Sequence, residues 1–432
     1  MTLRATLIGI GALLLGAGAL NLGMGLQASL LGVRAGIEDF PTLMIGLVMS
    51  AYYAGFVAGS LYAPSVVARV GHIRTFSAFA SMASAAAICH AVFVDPISWI
   101  VFRALTGFCF AALCLVAESW LNARASNLNR GTVVSIYFVV MLGATAAGQA
   151  FLMMAPPSGY DLFVFVSVII SLALVPIALT STPSPEISAP DRMRLKRLYK
   201  VSPVGVVGTF GAGLITGGYW GLGAVFAQAK GLKADDIAVF MTLLVAGGVV
   251  TQWPLGRLSD LMDRRIVVAS VALVIAVVGV MVGIGFLPDD PWLYVMGAVM
   301  GGLVLPLYGL VLAHTNDHLG PEDFVPAGAA LLVLYGVGAV AGPLLGTLAM
   351  RIAGPGGLFL YLALAGSLLA AFTGYRMTRR AGVDMDEAEN FVPVGHTTAM
   401  AYELDPRAEE DNGEEDGDHT DEAEAIQIAD RP

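Results

Sequence analysis

Long apolar runs recur along this chain, each ended by a short polar break or one rich in proline and glycine. A helix needs about 20 apolar residues to cross the ~30 Å hydrocarbon core of a bilayer. Hydropathy and the breakers predict such spans at residues 5–32, 42–63, 75–94, 97–120, 132–155 and 161–181, then at 203–228, 236–255, 266–287, 292–314, 325–350 and 357–376. The first run, after Arg4, is too long for the ~7–15-residue apolar core of a signal peptide, so it reads as an uncleaved first span. The expected fold is all-α integral membrane, twelve transmembrane helices in two six-helix halves, residues 1–181 and 203–380. Between them lies a cytoplasmic linker, 182–202, within the stretch "TPSPEISAPDRMRLKRLYKVSP".

Composition supports this pattern: 57% of the 432 residues are hydrophobic and 13% charged, far from a soluble globular chain. The net charge of −10 is unevenly placed, because 17 of the 33 acidic residues lie between Asp384 and Asp430. Residues 381–432 therefore read as an acidic, disordered cytoplasmic tail, unable to bury enough surface to fold alone. Lys and Arg are concentrated in alternate connections: sixteen on the side holding both termini and the linker, four (Arg34, Lys230, Lys233 and Arg351) on the other. Positive residues stay cytoplasmic, so both termini are expected inside a bacterial cell membrane. Cys89, Cys109 and Cys114 lie in apolar runs with no metal or disulfide spacing.

Two connections occupy equivalent places between the second and third spans of each half: "GSLYAPSVVARVGHIRT" and "TQWPLGRLSDLMDRR". In the second, Gly256 allows close backbone approach, and Asp260 at a helix end is placed to pair with Arg264 and Arg265 as an inner-face charge latch. The pattern resembles the signature loop of the major facilitator superfamily. In the first copy Arg69, Gly71 and Arg74 match its basic end, while Ala68 stands where that family carries its acid.

In the fourth span, Arg103-x-x-x-Gly107 resembles the same family's fourth-helix arginine motif. At 100° per residue, Arg103, Gly107, Ala111, Cys114 and Glu118 share a stripe about 80° wide. Arg103 and Glu118 are about 22 Å apart along it, too far to pair. An Arg facing lipid costs at least ~2.5 kcal/mol, so both are expected to face the bundle interior or water. The resemblance implies a secondary transporter of inverted three-helix repeats that moves a small solute by alternating access, with Arg103 in substrate binding or proton coupling. Glu118, near the inner end, is a further candidate for coupling or pairs with Arg124 or Arg130. "VAESWLNARASNLNRGTVV" and "GGVVTQWPLGRLSDLMDRR" resemble the YcaD-type branch of bacterial facilitators, which narrows the subgroup without naming a substrate.

Asn21, Gln27, Tyr52, Tyr219 and Trp220 complete the candidate substrate residues, as polar or aromatic groups within spans. Gly143 and Gly148 of the fifth span and Gly342-Pro343 of the eleventh are candidate packing positions. No phosphate-loop motif and no cluster with catalytic or metal spacing occurs, so no enzyme activity, ATP drive, metal or cofactor is expected. The expected partners are the bilayer, a small-molecule substrate and protons, with no nucleic acid, and the chain is expected to be a monomer. A transporter-fold sensor or scaffold acting through the acidic tail is the alternative.

Overall fold

The structure, a computed structural model, describes residues 3–124, 130–179, 192–286, 291–380, 391, 397–398 and 400–403. Hydrocarbon offers backbone groups no hydrogen-bond partner, so a spanning segment must satisfy its own. The first half comprises α1 (Leu3–Ile37), α2 (Thr42–Val70), α3 (His72–Val92), α4 (Pro96–Arg124), α5 (Arg130–Ala150, extended by a 3-10 turn) and α6 (Asp161–Ala178). A short helix, α7 (Leu195–Val201), ends the linker. The second half comprises α8 (Pro203–Ala229), α9 (Ala234–Leu261), α10 (Arg264–Gly283), α11 (Trp292–Asn316), α12 (Pro321–Ala353) and α13 (Gly357–Met377), and a single turn, α14 (Met400–Glu403), follows. Among the described residues twelve helices are long and apolar enough to cross a membrane.

The predicted spans fall on these twelve helices, and the differences lie at their ends. The second span was expected to end at residue 63, yet Pro64 lies inside α2, which runs on to Val70; α9 and α12 likewise continue past Pro254 and Pro326. In a bundle, neighbouring helices and local adjustments accommodate the freed carbonyl that would break a helix in water. Large apolar side chains face outward, Leu15, Val250 and Ile352 among them, as lipid contact requires.

The tightest packing brings backbone against backbone. A Cβ on Gly107 of α4 would fall onto the Tyr52 carbonyl of α2, and one on Gly55 of α2 onto the Ala104 carbonyl of α4. The second half repeats this between α9 and α11, where Gly247 meets the Ala298 carbonyl and Gly301 the Leu244 carbonyl. Gly148 abuts the Leu22 carbonyl of α1, and Gly342 abuts the Leu214 carbonyl of α8, in corresponding places of the two halves. Gly143 departs from its expected packing role, since nothing lies within 4 Å of where its Cβ would be.

The halves meet through α1 against α8, α2 against α12 and α5 against α9. On the face opposite the linker, Gln228 donates to the Val33 carbonyl at 2.9 Å and Gly46 fits against Thr347 and Pro343. That face is closed by direct helix contact. The linker docks on the second half: Met193 N–H donates to the Pro326 carbonyl at 3.0 Å, and Arg197 pairs with Asp323 at 2.6 Å.

The two glycine environments give opposite expectations for one substitution. Gly107→Ala should destabilise the protein by about 1–3 kcal/mol, because the α2 backbone cannot yield. Gly143→Ala should be neutral or stabilising by up to ~1 kcal/mol, because alanine is the better helix former. Thermal unfolding of the two variants in detergent checks both.

Candidate functional site

A cavity of about 220 Å³ lies between the halves. Arg103 of α4 contributes its charge, Tyr52 and Tyr53 of α2 and Phe110 of α4 form one wall, and Trp220 of α8 with Tyr308 and Tyr335 forms another. Arg103 is 4% exposed, and its guanidinium carbon sits 4.5 Å from the centre of the Tyr52 ring. The ring face supplies cation–π attraction, but Nε and Nη1 have no hydrogen-bond acceptor among the described residues. The expected shared face is thus realised as a buried cation with open donors beside an apolar-walled space.

Glu118, farther along α4, is fully buried. The Tyr137 hydroxyl donates to it at 3.3 Å, and the Thr397 and Thr398 hydroxyls each donate to one of its carboxylate oxygens. Thr397 also lines the cavity, so one tail residue touches both the cavity and the carboxylate. The expectation of a solvated tail fails at the described positions Phe391, Thr397, Thr398, Ala401 and Tyr402, which are buried or half-buried.

Of the other candidates, Asn21 and Trp220 line the cavity, although Asn21 also donates to the Ala17 carbonyl at 2.8 Å. Gln27 and Tyr219 do not line it. Gln27 is wholly buried with no partner for its amide among the described residues. Tyr219 donates to the Gly297 carbonyl at 3.0 Å and packs on Phe359, a helix-to-helix tie.

The two signature connections are built differently. In the second, Arg264 reaches Asp260 at 3.4 Å and Asp317, at the end of α11, at 2.9 Å, tying α9, α10 and α11 together. Asp263 caps α10 through the Arg265 N–H at 3.0 Å and grips the Arg265 side chain, whose Nη1 donates to the Arg380 carbonyl at 2.7 Å. Burial opposes ionisation of Asp263, but hydrogen bonds from Arg265 and its charge hold the carboxyl below its ordinary value. Gly256, expected to let helix backbones approach, instead leaves room for the Phe391 ring. In the first connection Arg69 and Arg74 are exposed, and Gly71, at φ 87°, makes the turn between α2 and α3. There the buried tie is His72, 2.9 Å from the Ser119 hydroxyl and stacked on Trp120. Neither His72 nor Asp317 stood out in the sequence: His72 sits in the connection between two predicted spans, and Asp317 is one of five consecutive polar residues, His314–His318, at a span end.

Two family models match the chain: the Major Facilitator Superfamily model over residues 205–395 and the sugar (and other) transporter model over residues 21–186. Over both of its halves the chain is similar to transporters of this kind. It is similar to the uncharacterized MFS-type transporter YcaD of Escherichia fergusonii, 25% identical over 308 residues, covering 71% of this chain and 79% of that protein. The YcaD protein of Salmonella arizonae is 27% identical over 329 residues, covering 75% and 84%. The fold matches a mutant of the nucleoside transporter NupG with a TM-score of 0.72 at 10% identity, covering 85% of this chain and 99% of that one. Twelve apolar helices among the described residues and these likenesses indicate a multi-pass membrane protein, and they support a secondary transporter.

The asymmetry of the connections is testable. Asp317→Ala leaves the buried Arg264 guanidinium with its 3.4 Å contact to Asp260, and should cost about 3–5 kcal/mol of stability as a broken buried pair. Arg69→Ala at the exposed equivalent should change stability by less than ~0.5 kcal/mol. Chemical or thermal unfolding of the purified variants measures both. The Asp263 clasp should hold at neutral pH and be lost only as the pH falls below the ordinary carboxylate range, because its lowered pKa keeps the carboxylate ionised where a free one would already be protonated.

Proposed function

We propose that this transporter carries a small organic anion with an apolar or planar body through the cavity between its halves, by alternating access. The observation that supports this is Arg103: a buried guanidinium beside the cavity, with Nε and Nη1 open among the described residues. An unpaired charge in a low-dielectric interior costs several kcal/mol. A carboxylate on the solute supplies the missing partner and accepts in the geometry a guanidinium favours. The aromatic walls, Tyr52 and Phe110 from one half and Trp220 and Tyr335 from the other, fit the remainder of such a solute. Because both halves line the cavity, a bound solute contacts the two bodies that must rock against each other.

The excess of Lys and Arg on the linker side supports a cytoplasmic location for both termini and the linker, in a bacterial inner membrane. Glu118 is our candidate for proton coupling: it is a carboxyl buried in the bundle and held by hydroxyls of Tyr137, Thr397 and Thr398. A sensor or scaffold working through a free tail is not favoured, since the described tail residues are packed among the helices.

The test begins with a thermal-stabilisation screen of monocarboxylates and their neutral amides, followed by uptake of the hits into proteoliposomes. Arg103→Gln should reduce uptake of the carboxylate about 10- to 100-fold, the equivalent of the ~1.5–3 kcal/mol of a charge-assisted hydrogen bond. Arg103→Lys should fall between. Undiminished uptake with the same preference for acid over amide in Arg103→Gln would falsify the anion reading. Solute-dependent acidification reported by an entrapped pH dye tests coupling, and flux without it removes Glu118 from that role.

A further inference from the structure

The linker-side end of the cavity is filled by the chain itself. Phe391 places its ring where a Cβ on Gly256 of α9 would collide, and its edge lies 3.3 Å from where a Cβ on Gly309 of α11 would be. Its backbone N–H donates to Asp260 at 2.7 Å. Thr397 and Thr398 commit their hydroxyls to Glu118 of α4. Tyr402, 3% exposed, hydrogen-bonds the Tyr308 hydroxyl of α11 and lies with Cγ 2.5 Å from where a Cβ on Gly328 of α12 would be. The turn α14 packs on α4 of one half and α12 of the other.

These contacts have the character of a ligand in a built site. Two aromatic rings occupy recesses that exist only because Gly256, Gly309 and Gly328 have no side chain. Two neighbouring hydroxyls satisfy both oxygens of one buried carboxylate, which would otherwise pay for an unmade bond. The sequence of the segment differs from what surrounds it: no acidic residue occurs from Phe391 to Tyr402, within a tail that is otherwise dense in Asp and Glu. The chain between Arg380 and Phe391 spans up to about 40 Å when extended, enough to reach from the end of α13 to the bundle axis.

We infer that the linker-side mouth of the cavity is a peptide-binding site whose ligand is this chain's own tail, held there by Phe391, Thr397, Thr398, Ala401 and Tyr402, an internal plug that must withdraw before the cavity opens on that face. Seated, it occupies the solute's exit and ties α4 of the first half to α12 of the second, so it holds the halves in one relative position. With the opposite face closed by direct helix contact, the plug is the removable barrier. The inference stands apart from the nature of the solute, because it concerns access to the cavity and not what binds there.

The test uses the full chain in nanodiscs, with Cys89, Cys109 and Cys114 replaced by alanine. Gly328→Cys with Tyr402→Cys brings two Cβ atoms within about 4 Å, inside the ~3.5–4.5 Å range that a disulfide spans. Mild oxidation should cross-link most chains. A reporter, Gln252→Cys, lines the cavity; its alkylation by a charged maleimide, read by mass spectrometry, should be at least roughly tenfold slower in the cross-linked protein than after reduction, as expected when local opening limits access. A chain ending at residue 380 should react at least as fast as the reduced protein. Should the first pair fail to fold, Gly256→Cys with Phe391→Cys tests the same seat from the other end. The proposal is overturned if a folded pair does not cross-link, or if the reporter reacts equally in the cross-linked, reduced and shortened proteins.

Discussion

A charge buried in a membrane bundle must find a counter-charge, a set of hydrogen bonds or a polar space, because the hydrocarbon around the bundle supplies none of them. Three of the buried ions here take different routes. Arg264 takes counter-charges, Asp260 and Asp317, and in doing so fastens three helices. Glu118 takes hydroxyls, one from α5 and two from the tail. Arg103 takes the face of the Tyr52 ring at the edge of the cavity. The arrangement of helices, gate and tail follows from where these three charges are settled.

The spans were legible in the sequence because a bilayer imposes a length and a composition that few soluble segments share. Their ends were less so: the second span was read as ending before Pro64, while in the bundle α2 runs through it to Val70. Helical periodicity put Arg103 and Glu118 on an inward face correctly, since the cost of a lipid-facing charge leaves one answer. It could not separate Trp220, which lines the cavity, from its neighbour Tyr219, which ties α8 to α11. That distinction depends on which neighbouring helix each residue faces, and a single span does not encode it. The seat of the tail was hidden for another reason: averaged over residues 384–430 the composition is acidic and solvated, and the charge-free stretch at Phe391–Tyr402 disappears into that average.

The two halves share a helix order and a pattern of glycine contacts but differ in chemistry where their second and third helices meet. One is fastened by a neutral pair, His72 with Ser119, the other by ions among Asp260, Arg264 and Asp317. Salt weakens ionic ties more than it weakens a stacked and hydrogen-bonded ring, though burial limits the effect. The linker docks on the ionic half, through Arg197 with Asp323 and Met193 with Pro326. The half fastened by ions thus also carries the linker.

Gly256, Gly309 and Gly328 leave hollows in the walls of three helices, and those hollows hold the rings of Phe391 and Tyr402. An unfilled hollow of this size forfeits the dispersion contacts of everything lining it. Helix and tail are therefore bound in descent: a lineage that lost the segment would gain by enlarging those glycines, and one that had enlarged them could no longer seat the segment. Whether a relative carries small residues at these three places is a record, written in the membrane helices, of whether its ancestors kept a tail to put there.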